Sequence, residues 1–212
     1  MSKLGVNGVA EEKERLMPKS RLESLSDLIF GLALSIGALT LIGQMPSSFE
    51  QLLYDIVYYG FSFFILIRVW YSYTQTMNYM HVEKQMAVNL NIVLLFLVSI
   101  EPFLFNEMLH SSISLVQNGS VIYAFDLGGL FLALAFLSNS VVANKETSRS
   151  IVRHFKLLRN MEIIGTIIFL VSALPIFWTL SLPIGNGYPL RFILWIIPPL
   201  LNPIRRLIEK YS

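Results

Sequence analysis

RLESLSDLIFGLALSIGALTLIG, residues 21–43, opens on an arginine and a Ser-Asp pair and then runs largely apolar for sixteen residues, with the hydroxyl of Ser35 set among large aliphatics. Leu28, Leu32, Ser35 and Leu39 fall three or four residues apart, so a helix carries them in one narrow stripe. Gly31, Gly37 and Ala38 lie off that stripe, where small side chains let neighbouring helices approach. Charge at the head of so apolar a helix is expensive and is expected to be paired. Arg21 and Asp27 stand six positions apart, on different sides of a helix, so their partners are expected on other elements.

The rest of the chain has the same character. Of 212 residues, 54% are hydrophobic and 14% charged, too apolar for a soluble domain of this size. The reading is an integral membrane protein. With no cysteine in the sequence, disulfides, thiolate metal sites and cysteine nucleophiles are excluded. Residues 1–20 are polar, mixed in charge and interrupted by Pro18; without an apolar signal core they read as a solvated tail that is retained.

A bilayer core about 30 Å thick takes roughly 20 apolar residues per helix. Six segments meet this: 22–43, 52–73, 88–109, 121–142, 163–182 and 190–208, the second expected to continue as helix toward Met80. The expected fold is therefore all-α, a six-transmembrane-helix bundle in one unit, residues 21–212, without internal duplication. An even count places both termini on one side, and every Lys and Arg except Arg68 and Arg191 falls on that side. The asymmetry predicts cytoplasmic termini and a multi-pass cell-membrane protein.

Arg21-x-x-x-Leu25-Ser26-Asp27 resembles the Arg-x-x-x-Phe-Ser-Asp signature of the transmembrane protein 175 family, potassium channels of lysosomes and many prokaryotes, with Leu25 in place of Phe. Trp70, Leu90-Asn91 and Pro102-Phe103 follow in the family's order and at similar spacing. The two histidines that the family shows shortly after the Trp are replaced by Tyr73 and Thr74, so a network built on imidazoles would have to be rebuilt with hydroxyls. The resemblance covers about residues 21–103.

It implies a pore lined by the first helix. The positions five, eight and twelve residues after the motif Asp carry, in the family, an apolar gate, a Ser or Thr implicated in potassium selectivity, and a further apolar lining residue. Here they are Leu32, Ser35 and Leu39, with Ile36 one residue off the stripe. Rings of Leu would form a constriction that excludes water, and Ser35 would offer oxygen to a transient K⁺. The resemblance further implies a homotetramer, since single-unit relatives assemble so, while two-unit human members work as dimers. Arg21, Ser26 and Asp27 are assigned to holding the helix in register, with Asn91, the Trp70 indole and the Tyr73 hydroxyl as donors to the carboxylate.

Other features are read more plainly. The basic fourth connection, residues 143–160, is a solvated extension or an inner-leaflet segment attracted to anionic lipid. Pro198, Pro199 and Pro203 are expected to kink the sixth span. Glu101, Glu107, Asp126 and Arg191 sit near the outer face, either as an acidic mouth or with Arg191 paired to Asp126 or Glu101. His81, His110 and His154 lie on separate connections and form no metal site. Residues 185–188, Gly-Asn-Gly-Tyr, lack the full TVGYG filter pattern and read as a turn.

The function expected from all this is passive, potassium-selective leak conduction, with monovalent cations and membrane lipids as partners, no cofactor and no nucleic acid. A secondary transporter of a monovalent cation or small solute is the alternative and would need paired broken helices with charge at the midplane. An enzyme would need clustered His, Asp or Glu within the spans.

Overall fold

A computed structural model describes residues 19–43, 46, 48–80, 85–110, 113–145, 147–181 and 189–201, without the side chains of 40–43, 85, 109, 110, 113 and 114. The expected tail, most of the HVEKQ loop, the 185–188 turn and the sixth span beyond residue 201, with Pro203, lie outside them. The described chain is all-α: α1 (Lys19–Gly43), α2 (Phe49–Tyr79), α3 (Gln85–His110), α4 (Ile113–Val142), α5 (Arg149–Ser172), α6 (Ile176–Thr179) and α7 (Leu190–Leu194). One isolated bridge, Ser181 to Pro189, is its only extended pairing among the described residues.

Local chemistry sets several boundaries. Ser48 caps α2 by accepting from the Gln51 amide at 3.1 Å, which anchors the helix at Phe49. No breaker follows Tyr73, and α2 runs on to Tyr79 with Met80 as its cap. Nothing between residues 113 and 142 carries a proline, and α4 begins earlier than the expected residue 121.

The fifth and sixth segments differ from expectation. Four described helices have the length and apolarity to cross a membrane, over 19–39, 49–79, 86–108 and 115–142. The fifth segment is not an apolar helix over 163–182: α5 starts at Arg149, inside the supposed connection, and ends at Ser172, shortly before Pro175. Its middle carries Lys156, Arg159 and Glu162. The sixth is helical over 190–194 and again over 197–201, with a break at Trp195 and Ile196. Pro198 and Pro199 lack the N–H groups that would bond the carbonyls of Leu194 and Trp195, which accounts for the break.

Consecutive long helices are antiparallel. The Lys19 end of α1 meets the end of α2, where Lys19 Nζ donates to the Asn78 carbonyl, and the Tyr79 and Phe155 rings join α2 to the start of α5 at 5.5 Å. We call this end of the bundle the motif end. α1 packs on α2 and α3, whereas α4 lies between α3 and α5. The α4–α5 seam is close because it is made with glycine: a Cβ on Gly165 would stand 2.6 Å from the Phe131 ring, and one on Gly128 2.9 Å from Leu170 Cδ2.

The outside is apolar all round, with Val57, Phe64, Phe96, Phe103, Ile122 and Ile167 exposed on four different helices. Inside lie hydroxyls and charges: Ser26, Ser72, Asn91, Glu101, Asp126, Glu162 and Arg191 are all buried. Greasy surface around a polar interior is the pattern of a protein dissolved in lipid, where hydrogen bonds and close packing hold helices together.

Candidate functional site

α1 has two unlike faces. Leu22, Ser26, Phe30, Ala33 and Gly37 recur every three or four residues and are buried against the rest of the chain. A Cβ on Gly37 would lie 3.3 Å from the Tyr59 ring and 3.9 Å from Pro102, so that glycine does admit neighbours. Gly31 does not serve this purpose: it is exposed, with nothing within 4 Å. On the opposite side Leu28, Leu32 and Leu39 are 71%, 60% and 60% exposed, and Ile36 and Ser35 are exposed with them. The stripe expected from spacing is thus a real surface, turned away from the chain's own bundle.

Ser35 bonds back onto its helix, its Oγ donating to the Gly31 carbonyl at 2.8 Å. That use of the proton leaves the oxygen lone pairs as the outward feature of the hydroxyl, an acceptor suited to a cation.

The buried face is fixed by a polar network at the motif end. The Ser26 and Tyr73 hydroxyls lie 2.6 Å apart, and Ser26 Oγ also donates to the Leu22 carbonyl at 2.7 Å. One residue on, Asp27 Oδ1 accepts from the Trp70 indole N–H at 3.0 Å. Trp70 and Tyr73 are three apart on α2, so a single turn of that helix holds both motif residues. The donors divide differently from expectation: Trp70 serves the carboxylate, while Tyr73 serves Ser26. Tyr73, standing where the family shows imidazole, supplies a hydroxyl, and its ring packs on Phe30 at 5.8 Å. Asn91 is fully buried in α3 beside the Tyr73 hydroxyl, and it is not a donor to Asp27 here. Arg21 is exposed and takes no described partner in this network.

Four buried charged positions differ from the sequence reading or were absent from it. Glu162, which falls between the expected connection and the expected fifth span, is wholly buried and accepts from the hydroxyls of Ser72 on α2 and Ser138 on α4, the latter at 2.9 Å. Its signal was the stripe Phe155, Leu158, Glu162, Thr166 and Phe169, which is helical in period. Glu101 is not at an open mouth but buried, taking bonds from Ser62 at 2.9 Å and Tyr123 at 2.6 Å. Arg191 pairs with neither Glu101 nor Asp126. Its guanidinium donates to the carbonyls of Ser172, Ala173 and Leu174 at the end of α5, and to Gln117 and Ser120 on α4. These carbonyls lie at the C-terminus of α5, where the Leu174 carbonyl also accepts from the Phe177 amide at 3.1 Å, and a cation at a helix C-terminus answers both their charge and their bonding. Asp126 is left buried with both carboxylate oxygens unbonded by described residues. Among the described residues, no three His, Cys, Asp or Glu side chains gather as a metal site.

No curated protein and no solved structure matches the chain. A family model described as "Endosomal/lysosomal potassium channel TMEM175" matches residues 21–102. The match begins at Arg21 and ends at Pro102, taking in the two-faced helix, the Trp70 and Tyr73 turn that holds it, and most of α3. Over this stretch, well under half of the 212 residues, the chain is similar to the TMEM175 potassium channel family.

Proposed function

We propose that the chain is a potassium-selective leak channel of the plasma membrane, in which α1 of each of four subunits lines one central path. The observation that carries this reading is the geometry of α1. Its polar motif face is tied inward, so the row Leu28, Leu32, Ser35 and Leu39 is free to meet copies of itself. In a ring, Leu32 and Leu39 stand two turns, about 10 Å, apart and form two apolar collars. The four Ser35 oxygens between them, their protons already engaged, replace part of the water a cation sheds. The basic end of the bundle, with Lys19, Arg21, Lys145 and the first half of α5, faces the cytoplasm. α5, about 36 Å long, crosses as a fifth span because Ser72 and Ser138 satisfy Glu162.

Potassium flux into liposomes holding the purified protein tests the reading. Leu32→Ala widens the collar and raises K⁺ flux several-fold; unchanged flux removes Leu32 as the constriction. Ser35→Ala lowers discrimination against Na⁺, seen as a reversal potential moved toward zero with K⁺ on one side and Na⁺ on the other. Equal selectivity in wild type and variant removes Ser35 from that role.

A transporter reading draws on a separate observation, the buried Glu101 and Asp126 on helices behind α1. Saturable flux that Asp126→Asn abolishes and Leu32→Ala leaves alone would favour it.

A further inference from the structure

At the motif end, where α4 turns into α5, Thr147, Arg149, Val152, Arg153 and Lys156 line a cleft of about 320 Å³. Arg149, Arg153 and Lys156 recur at the first, fifth and eighth positions of α5, so one face of the helix brings all three cations to the same hollow. All three are exposed, and no described residue gives any of them a hydrogen bond or an ion pair. Glu146, the nearest acid in sequence, lies outside the described residues. Cations held together without counter-charge repel one another, and an anion between them relieves that repulsion.

Packing gives the depth of the hollow. Arg159 Nη1 donates to Asn139 Oδ1 at 2.9 Å, which sets these two residues level across the antiparallel α4–α5 seam. Val142, three residues beyond Asn139, ends the apolar stretch of α4 and is therefore level with Lys156. At 1.5 Å per residue, Arg153 and Arg149 rise about 4.5 Å and about 10 Å above that boundary. The headgroup zone of a bilayer occupies about 5–8 Å on each side of the hydrocarbon. The hollow thus opens at phosphate depth and is large enough to hold a phosphate with part of its substituent.

We propose that the cleft formed by Arg149, Arg153 and Lys156 is a phosphate-binding site, filled at this depth by the headgroup phosphate of an anionic membrane lipid. Two guanidinium forks and an ammonium suit the oxygens of a phosphodiester or phosphomonoester, and Val152 faces the glycerol or acyl part. A diffuse attraction of basic residues to an acidic leaflet would not depend on which cations line the hollow. Lys145, exposed in the same turn but outside the lining, makes that distinction testable.

The experiment is native mass spectrometry of the full chain purified in mild detergent, titrated separately with phosphatidylglycerol, phosphatidylcholine and inorganic phosphate. The proposal expects retained phosphatidylglycerol at concentrations where phosphatidylcholine is lost. It expects the preference to fall about 10- to 100-fold in R149Q/R153Q/K156Q and to be unchanged in K145Q. R149K/R153K, which keeps the charge, retains most of it. If the triple variant does not elute as wild type, the single variant R153E, with the same expected loss, takes its place. Retention of inorganic phosphate by the wild type, lost in the triple variant with no lipid preference, supports the site with a soluble source. Equal retention of both lipids with no bound phosphate, or an equal loss in K145Q and the triple variant, overturns it.

Discussion

Two polar layers cross this bundle, and they treat their carboxylates differently. At the motif end the exposed Asp27 accepts from Trp70, the buried Glu162 accepts from Ser72 and Ser138, and Ser26 is bound to Tyr73, so both of these acids have a donor on another helix. At the far end Glu101 is served by Ser62 and Tyr123, while Asp126, one turn beyond Tyr123 on α4, is served by no described residue. The contrast separates acids that join helices from an acid that is merely enclosed. In lipid, where apolar contact gains nothing over lipid contact, interhelical bonds of the first kind fix how α1, α2, α4 and α5 sit. An enclosed acid adds no such bond.

The sharpest way to break the contrast is at Glu162. Replacing it with Ala strips the shared acceptor from two buried hydroxyls on two helices and leaves a void at the α4–α5 seam. A loss of about 2–4 kcal/mol is expected. Thermal unfolding of the detergent-solubilised protein, followed by loss of its size-exclusion peak, reads this. Glu162→Gln, which keeps an acceptor, should lose less than half as much. A Glu162→Ala protein as stable as wild type would show that the layer does not hold the bundle.

Tyr73→Phe is the milder probe. It removes one hydroxyl and keeps the ring against Phe30, and Ser26 retains its bond to the Leu22 carbonyl. The expected cost is about 1 kcal/mol by the same assay. Because the bond orients α1, ion flux in liposomes should change as well. A stability loss with flux unaltered would separate the network from the pore face it is argued to aim.

How much of this was legible depended on where the information lay. The motif layer was readable around α1 because its partners follow helical spacing: Ser26 and Asp27 are adjacent, Trp70 and Tyr73 are one turn apart, and one pair answers the other. The stripe on α1 was readable for the same reason. Glu162 was not, because Arg149, Arg153, Lys156 and Arg159 give the first half of α5 the composition of a connection, which hides the buried period of Phe155 and Leu158. Arg191 was misread because its partners are backbone carbonyls where α5 stops near Pro175. Charge-to-charge reasoning sees side chains only, and a helix end offers its acceptors without a sequence code. Asn91 marks the same boundary from the other side: its position fits the family order, and its bonding is not fixed by that order.

Asp126→Asn carries the smallest effect expected and the most specific one. If Asp126 were a joining acid like Glu162, amidation would cost at least one bond, on the order of 1 kcal/mol or more. As an enclosed acid without a donor it has no bond to lose, and the change removes a group whose ionised form is expensive in a medium without water. The two side chains are nearly the same shape, so no cavity or clash enters the comparison. Stability within about 0.5 kcal/mol of wild type, or above it, is therefore expected, while Glu101→Gln, which disturbs the bonds from Ser62 and Tyr123, should lower it. Measured side by side, the pair isolates bonding from burial, since both residues are almost wholly enclosed. A destabilised Asp126→Asn would mean that the acid does join helices, through a donor beyond the described residues, and the two layers would then follow one rule.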